Sequence, residues 1–411
     1  MEEFKEMKET KKVELLLERT FLFDPNVYMT VVVTIEGDVS EEEVCEAVKK
    51  TYTQNQTTMS KAVLDEQGKL YMEAMEETGC KVFVDKRDWL EIMCESERKP
   101  FRVNEGELIR TFIIPRGNQT DIYLMAHHIT CDGNGLLILA EDILNNLQGK
   151  EVEYKPTKVM TKEGVIDRGD LNFVQRLGLK TLSQKWEKER KVFTWEDYYK
   201  IHEVFWKNRR TDIRFHEISG NELEKLKEEC KKYGVTVNSY MVTKLLQEYP
   251  EYKKVGIPTS IRGEDRSISC LISSTLVISQ YDSHKEFAEN LVEVDKEIRK
   301  TLKSEGAIYH IPQFVALTDP TLLYAGYIQH VLHDENKLAD RMRRILGLYG
   351  EERTELGVTN LKEIVFPTDY DRFKVVRVIP VAPCISTAEN VFTISTYQGK
   401  MLIADSKIIK M

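Results

Sequence analysis

The sequence predicts an α/β protein built from two lobes, and three observations support this prediction. Segments with strand-like and helix-like patterns alternate at both ends of the chain. The stretch between them is richer in Lys, Glu, Trp and Tyr and is typical of a connection. The length of 411 residues is enough for about two or three domains. We therefore expect an N-terminal lobe over 1–150, a connecting segment over 151–210 and a C-terminal lobe over 211–411.

The first lobe shows a strand, a helix and a hairpin in succession. The run YMTVVVTIEG, rich in β-branched residues, predicts a strand that ends at Gly37. Ser40 and Glu43 form a capping-box pattern, which predicts that a helix begins there. Further on, LIRTFIIPRG and TDIYLMAHHI predict two strands joined by a turn. After the loop TCDGNG, the spacing of apolar residues in LLILAEDILNNL predicts a helix that stops before Gly149.

The connecting segment and the second lobe begin with helices. The stretch FVQRLGLKTLSQKWEKERKVF predicts a basic amphipathic helix; its basic face is suited to phosphates or lipid headgroups, although a solvated face is the favoured interpretation. One helix of the second lobe ends at Gly234, and the next starts behind Thr236 or Asn238 as its cap. Strands are then predicted in KKVGIPTSI, SSTLVISQY, FKVVRVIPVA, NVFTISTYQG and KMLIADSKI.

Composition excludes several classes of protein. The net charge of −9 argues against a nucleic-acid partner, because binding to a phosphate backbone needs a concentrated basic field. The N-terminus lacks the apolar core of a signal peptide, and no apolar run approaches the roughly 20 residues of a transmembrane segment. The seven cysteines show no CxxC spacing and are expected to be reduced thiols. We therefore expect a cytoplasmic protein with no transmembrane segment.

Two adjacent histidines, His127 and His128, stand where the second strand of the hairpin ends. Successive side chains of a strand point to opposite faces, so one ring should face the chemistry while the other packs inside the protein. A neutral histidine held at a strand end is suited to act as a general base toward an alcohol or amine. Asp132 could order the loop that follows, and Gly133 could allow a close backbone approach or an unusual dihedral angle.

Three other interpretations of this stretch have less support in the sequence. A zinc site would need further ligands, and Cys131 and Asp132 do not give a recognised metal spacing, so no metal is expected. Simple core packing accounts for a lone histidine better than for a pair followed by Asp-Gly. A hydrolase with serine and histidine would show a GxSxG motif, which the sequence lacks.

The histidines form the pattern HHxxxDG with Asp132 and Gly133. This pattern resembles the signature of the chloramphenicol acetyltransferase-like acyltransferases, which include condensation domains, alcohol acetyltransferases and wax-ester synthases. The resemblance extends more weakly to GELIRTFII, LEKLKEECKKYGVTVNSYMVTKLL, VGIPTSIRGED and LGVTNLKEIVFP. It implies two chloramphenicol-acetyltransferase-like lobes arranged as a V, with an active-site channel between them.

The resemblance also implies roles for individual residues. His128 would be the catalytic base and His127 a supporting residue. Asp132 would form an ion pair with Arg262 of the second lobe and pin the loop that carries His128. Thr359 and Asn360 would lie near the channel, with roles less well defined. Backbone N–H groups around Gly133 are the nearest candidates to bind the oxyanion.

The expected reaction is transfer of an acyl group from a CoA or carrier-protein thioester to a small alcohol or amine, without a tightly bound cofactor. The co-substrate would be acyl-CoA or a phosphopantetheinyl carrier, so an acyl carrier protein is a possible partner. Basic residues for CoA are available in KWEKERK and NRR. The chain is expected to be a monomer.

Two departures from the family pattern argue against particular branches of the family. The plant-type DFGWG segment is absent, and NQTTMSK stands where peptide-synthetase condensation domains have a His-Pro-x-Leu-Arg-like segment. A standalone transferase is therefore expected. The alternative is a catalytically inactive, condensation-like binding or scaffold protein, although the intact HHxxxDG pattern favours the enzyme.

Overall fold

The computed structural model describes residues 4–6, 12–348, 355–388 and 390–411. The strands within these ranges form two six-stranded sheets, one three-stranded sheet and one two-stranded sheet. In chain order they are β1 Phe4–Glu6, β2 Lys12–Glu14, β3 Tyr28–Gly37, β4 Ser60–Leu64, β5 Leu70–Ala74, β6 Lys81–Val84, β7 Ile109–Arg116, β8 Gln119–His127, β9 Lys158–Met160, β10 Arg209–Ser219, β11 Lys254–Ser260, β12 Ile272–Ile278, β13 Glu355–Glu363, β14 Asp369–Tyr370, β15 Phe373–Val381, β16 Asn390–Tyr397 and β17 Lys400–Lys410.

Helices accompany both large sheets. In chain order the α-helices of the described ranges are α1 Glu41–Thr53, α2 Trp89–Ser96, α3 Gly133–Leu147, α4 Lys162–Val165, α5 Phe173–Glu187, α6 Trp195–Trp206, α7 Gly220–Tyr233, α8 Val237–Glu248, α9 Phe287–Lys303, α10 Glu305–Ile308, α11 His310–Leu317, α12 Pro320–Leu332 and α13 Lys337–Ile345. Short 3₁₀ helices lie at Glu18–Phe21 and Val103–Glu105. This mixed architecture with two large sheets confirms the predicted α/β class.

The first large sheet has the order β14-β15-β3-β8-β7-β6, and all its neighbours are antiparallel except β6 and β7. Its strand β3 is buried from Tyr28 to Ile35 without alternation, which is typical of a strand covered on both faces. The predicted hairpin is β7 and β8, and its turn is Gly117-Asn118. The order of the second large sheet is β10-β17-β16-β13-β11-β12, with β13 parallel to both of its neighbours.

One strand pair crosses the predicted division at residue 211. β14 and β15 follow β13 of the second sheet, yet β15 pairs with β3 of the first sheet before the chain returns as β16. Because β3 is buried, an unpaired edge there would leave buried backbone N–H and C=O groups without partners. The segment 369–381 therefore belongs to the sheet that carries β8, although it lies in the predicted C-terminal lobe.

The helix boundaries follow the capping patterns in the sequence. The Ser40 side chain accepts a hydrogen bond from Glu43 N (3.2 Å), and the Glu43 carboxylate accepts one from Ser40 N (2.8 Å), which completes the capping box of α1. Thr236, and not Asn238, caps α8 by accepting a hydrogen bond from Ser239 N. Helix α7 ends at Gly234 in the left-handed conformation, as predicted.

The connecting segment contributes buried residues to the core of the molecule. Leu179, Leu182 and Trp186 of α5 are buried in the same core as the first large sheet. The indole N–H of Trp186 donates a hydrogen bond of 2.8 Å to the hydroxyl of Thr321 in α12. The apolar face of the predicted amphipathic helix therefore ties the connection to both halves of the chain. No helix in the described ranges is long and apolar enough to cross a membrane.

Candidate active site

The two histidines are held at the point where β8 leaves the sheet. His127 is the last residue of β8, and its backbone N–H donates to the carbonyl of Leu108 at 3.1 Å. The N–H of His128 donates to the carbonyl of Val27 at 3.0 Å, on the other side of the strand. These two bonds fix the backbone between the flanking chain segments, so that the two rings point in opposite directions.

The ring of His127 lies in an aromatic compartment. Its ring centroid is 5.9 Å from that of Tyr28, 6.1 Å from that of Phe101 and 6.2 Å from that of Tyr198. Its Nδ1 atom accepts a hydrogen bond from Ile129 N at 3.3 Å, which places the ring proton on Nε2. Burial lowers the pKa of His127 to about 3, so the ring is neutral at physiological pH.

The ring of His128 faces a different set of groups. It stacks on Phe21 with ring centroids 3.9 Å apart and ring planes only 4° from parallel. The thiol sulfur of Cys270 lies 3.8 Å from its Nδ1 atom. Burial lowers the pKa of His128, whereas its own carbonyl, the charge of Asp132 and the carbonyl of Cys131 act in the opposite direction. The ring is therefore neutral at physiological pH, which is the state that a general base requires.

Asp132 connects the histidine loop to the second half of the chain. One carboxylate oxygen accepts a hydrogen bond from Gly135 N at 2.8 Å and so caps α3. The other accepts one from an Nη atom of Arg262 at 2.9 Å and one from Leu271 N at 2.8 Å. Arg262 also donates to the carbonyls of Ser267 and Ser269. The ion pair implied by the resemblance is thus present and buried, and every carboxylate oxygen of Asp132 has a partner.

The two glycines after Asp132, Gly133 and Gly135, differ in how closely other groups approach their Cα atoms. Gly133 is the first residue of α3, and a Cβ atom there would meet only the side chain of Leu361, at 3.3 Å. A Cβ atom at Gly135 would lie 2.1 Å from the carbonyl oxygen of Ile268. The close backbone approach predicted for Gly133 is therefore made at Gly135, and Gly133 does not have a positive φ. The prediction for Gly133 was wrong because both glycines lie in the first turn of α3, and only the tertiary structure determines which of them faces the carbonyl of Ile268.

Thr359 and Asn360 lie near the end of β13. Thr359 is aligned with Thr393 of β16, and the amide nitrogen of Asn360 donates to the amide oxygen of Asn238 at 3.2 Å, at the start of α8. The neighbouring Leu361 makes the contact from this strand to Gly133. The part of β13 that contains Leu361 therefore approaches the HHxxxDG segment, and Asn360 is the residue next to it.

Three residues at this site were missed in the sequence analysis. Phe21 and Glu18 belong to the 3₁₀ helix that covers His128, and Cys270 comes from the segment before β12. Glu18 is buried with one carboxylate oxygen unpartnered, and burial raises its pKa to about 7. Glu18 and Arg19 directly follow three leucines in the run VELLLER, and charged residues next to such a run indicate a functional role if they are buried. Phe21 and Cys270 contact His128 from distant parts of the sequence, so no local sequence pattern predicts these contacts.

A cavity of about 650 Å³ lies beside the same 3₁₀ helix. Arg19 lines this cavity from a buried position, two residues before Phe21. The cavity is lined by residues of the first 71 positions, of the connecting segment and of α11 and α12, and neither histidine is among them. The 3₁₀ helix therefore contacts both the cavity and the ring of His128. In the described part of the chain no cluster of three or more His, Cys, Asp or Glu side chains is arranged to hold a metal ion.

Comparison with known proteins identifies the fold. No protein-family model matches the chain, and no curated protein sequence matches it. Among solved structures, the first condensation domain of the calcium-dependent antibiotic synthetase, in complex with a substrate analogue, superimposes with a TM-score of 0.63 at 13% identity, covering 96% of this chain and 91% of that one. A trichothecene 15-O-acetyltransferase from Fusarium sporotrichioides gives 0.62 at 11% identity, with coverage of 96% and 91%.

A third structure, polyketide synthase associated protein 5 from Mycobacterium tuberculosis, gives a TM-score of 0.60 at 11% identity and covers 96% of this chain and 92% of that one. The chain therefore has the two-lobed fold of condensation domains and chloramphenicol-acetyltransferase-like enzymes over nearly its whole length. At these identities the likeness concerns the fold, and the chemistry has to be argued from the residues.

Proposed function

We propose that the protein is an acyltransferase that moves an acyl group from a CoA or carrier-protein thioester to a small alcohol or amine, with His128 as general base. The observation that carries this proposal is the position of His128. It is a neutral histidine at a strand end, and its loop is pinned by the buried pair of Asp132 and Arg262. The fold shared with condensation domains and an acetyltransferase supports the same reaction class.

The Nδ1 side of His128 is already engaged. Its own backbone carbonyl acts on the ring, and the Cys270 sulfur lies 3.8 Å from Nδ1. With the ring proton on Nδ1, the lone pair on Nε2 is free to accept the proton of the acceptor hydroxyl or amine. The acceptor oxygen or nitrogen then attacks the thioester carbonyl carbon and forms a tetrahedral oxyanion.

Collapse of this intermediate breaks the C–S bond and leaves the acyl group on the acceptor. The proton held by His128 passes to the leaving thiolate, so the base returns to its neutral state. The first N–H groups of a helix have no partner within the helix and carry the positive end of its dipole. Asp132 occupies the N–H of Gly135, so the N–H groups of Gly133 and Asn134 are the candidate donors in this turn for the oxyanion.

One observation favours a second candidate function. The ring of His128 is only 9% exposed and is covered by Phe21, so a substrate reaches it only if the 3₁₀ helix moves or a channel opens. A protein in which this cover is permanent would bind an acyl or acceptor group without transfer. The same structure therefore also fits an inactive binding or scaffold protein, and turnover has to decide between the two.

The test is free-thiol release from acyl-CoAs of increasing chain length, with pooled alcohols and amines as acceptors. Wild type is compared with His128→Ala and with His216→Ala, a matched control at an exposed histidine of β10. The proposal predicts acceptor-dependent thiol release that is lost in His128→Ala and kept in His216→Ala. Acyl groups loaded on a carrier protein are tested in parallel. Absence of transfer from both donor types would reject the enzyme and leave the binding function.

A further inference from the structure

Helix α5 has an outward face that nothing in the structure covers. Its inward residues Leu179, Leu182 and Trp186 are buried, as an amphipathic helix requires. On the other side, at the start of the helix, Phe173 is 77% exposed and Val174 is 76% exposed, and Leu177 is 51% exposed one turn later. Isolated exposed apolar residues are common, but three large ones within five positions form a patch that calls for an explanation.

The rest of the outward face is basic. At 100° per residue, Lys180 and Lys188 fall on the same side of the helix as Phe173 and Leu177, and Lys185 lies on the flank of that side. All three lysines are exposed, and none has an ion-pair partner among the residues that the structure describes. Over 173–191 the sequence has six basic and two acidic residues, in a chain whose net charge is −9. This face is therefore a positive region on an acidic protein.

The acidic groups near this helix do not cancel its charge. Glu187, at the last position of the helix, falls on the same side as Lys180 and lines the 650 Å³ cavity, so it offsets one of the positive charges. Asp170 pairs with the ring of His310. Asp167 lies 3.8 Å from a guanidinium nitrogen of Arg176. The apolar start of the helix and the lysines that follow it form one surface that keeps a net positive charge, since six basic residues stand against two acidic ones over 173–191.

We propose that this outward face of α5 binds an anionic lipid surface. A short apolar end flanked by lysines on a convex helix is the arrangement by which amphipathic helices rest in a membrane interface, with the apolar side chains inserted and the lysines at the headgroups. A stable protein partner would need about 800 Å² of complementary surface, far more than three side chains supply. The lysines contribute through attraction to anionic headgroups.

The proposal is independent of acyl transfer, because binding is measured without substrate. The experiment is co-sedimentation of the full chain with vesicles of phosphatidylcholine alone or of phosphatidylcholine mixed with phosphatidylglycerol. Wild type should bind the mixed vesicles and bind the neutral ones much less, with a difference that shrinks as salt is added. A double variant, Phe173→Asp with Leu177→Asp, should lose binding, because it places two charges where the apolar side chains insert.

A matched control is Val365→Asp, at an apolar residue that is 83% exposed elsewhere on the surface and should leave binding unchanged. Lys180→Gln should weaken partitioning to the mixed vesicles by about fivefold. Thermal melts verify that each variant is folded, and all these positions are exposed, so little change in stability is expected.

Three results would overturn the proposal. The first is equal sedimentation of the Asp double variant and wild type. The second is no binding of wild type to either vesicle. The third is a dimer, measured by light scattering, that the Asp double variant dissociates while vesicles fail to bind, which would assign the face to a second copy of the chain.

Discussion

The two adjacent histidines occupy opposite environments. His127 lies among aromatic rings that come from β3, from the loop before β7 and from the connecting segment, and its pKa falls to about 3. His128 lies between the 3₁₀ helix at Phe21 and the segment at Cys270, next to the buried pair of Asp132 and Arg262. Of these two adjacent residues, His127 therefore belongs to the core, and His128 belongs to the junction between the two halves of the chain.

This difference teaches that strand geometry, and not residue type, assigns the roles. Because successive side chains alternate, a pair of identical residues at a strand end is divided between inside and outside. The core histidine needs only to be neutral and well packed. The junction histidine needs neutrality, a fixed ring orientation and a route for substrate, which explains why its neighbours come from distant parts of the sequence.

The largest effects are expected from replacing each of the two histidines separately by alanine. His128→Ala should lower the rate of acyl transfer by about 100-fold to 10,000-fold because it removes the base, and it should cost less stability than His127→Ala because its ring lies outside the aromatic compartment. His127→Ala should lower the free energy of unfolding by about 3 kcal/mol, since it opens a cavity in an aromatic core. Steady-state kinetics and chemical denaturation of both variants check this contrast. Equal losses of rate and stability in the two variants would contradict the division of roles.

The next effect tests how the histidine loop is pinned. Asp132→Ala leaves Arg262 buried without its carboxylate and removes the cap of α3, so we expect a loss of about 3 to 5 kcal/mol of stability together with loss of rate. Arg262→Ala should give a similar loss. Because the two residues share one interaction, the double variant should lose less than the sum of the single ones, as a double-mutant cycle would show. Additive losses would mean that the pair is not coupled.

A smaller effect is expected from acid. The folded-state pKa of His127, about 3, lies below the unfolded value of 6.5, so the unfolded chain binds more protons in between and stability falls as the pH drops below 6.5. From pH 7 to pH 5 this single group should cost about 2 kcal/mol. His127→Phe should flatten that part of the curve. Urea denaturation at several pH values measures the slope, and an unchanged slope would place the acid sensitivity elsewhere.

The smallest effect concerns Cys270 as a positioning residue. Cys270→Ala removes the sulfur beside Nδ1 of His128 and should change the rate less than tenfold, while it shifts the acid limb of the rate profile. In wild type that limb should lie below pH 6.5, because burial lowers the pKa of His128. The measurement is the pH dependence of kcat/KM for both proteins. A profile that does not move would show that the thiol only fills space.

Local chemistry made much of this protein predictable. The β-branched run before Gly37, the capping box at Ser40 and the glycine at 234 each indicated an element that the structure contains. The position of the histidine pair at a strand end and of Asp132 before a helix also followed from short-range patterns. These features depend on periodicity and capping, which act over a few residues and can therefore be read from the sequence alone.

Only the tertiary structure decided what surrounds those residues. The pairing of β15 with β3, the cover of His128 by Phe21, the thiol of Cys270 and the close approach at Gly135 all join residues far apart in the chain. The sequence determined the elements and the candidate base, because local propensities fix them. The environment that sets the pKa values and the access to that base depends on long-range packing, which no local pattern encodes.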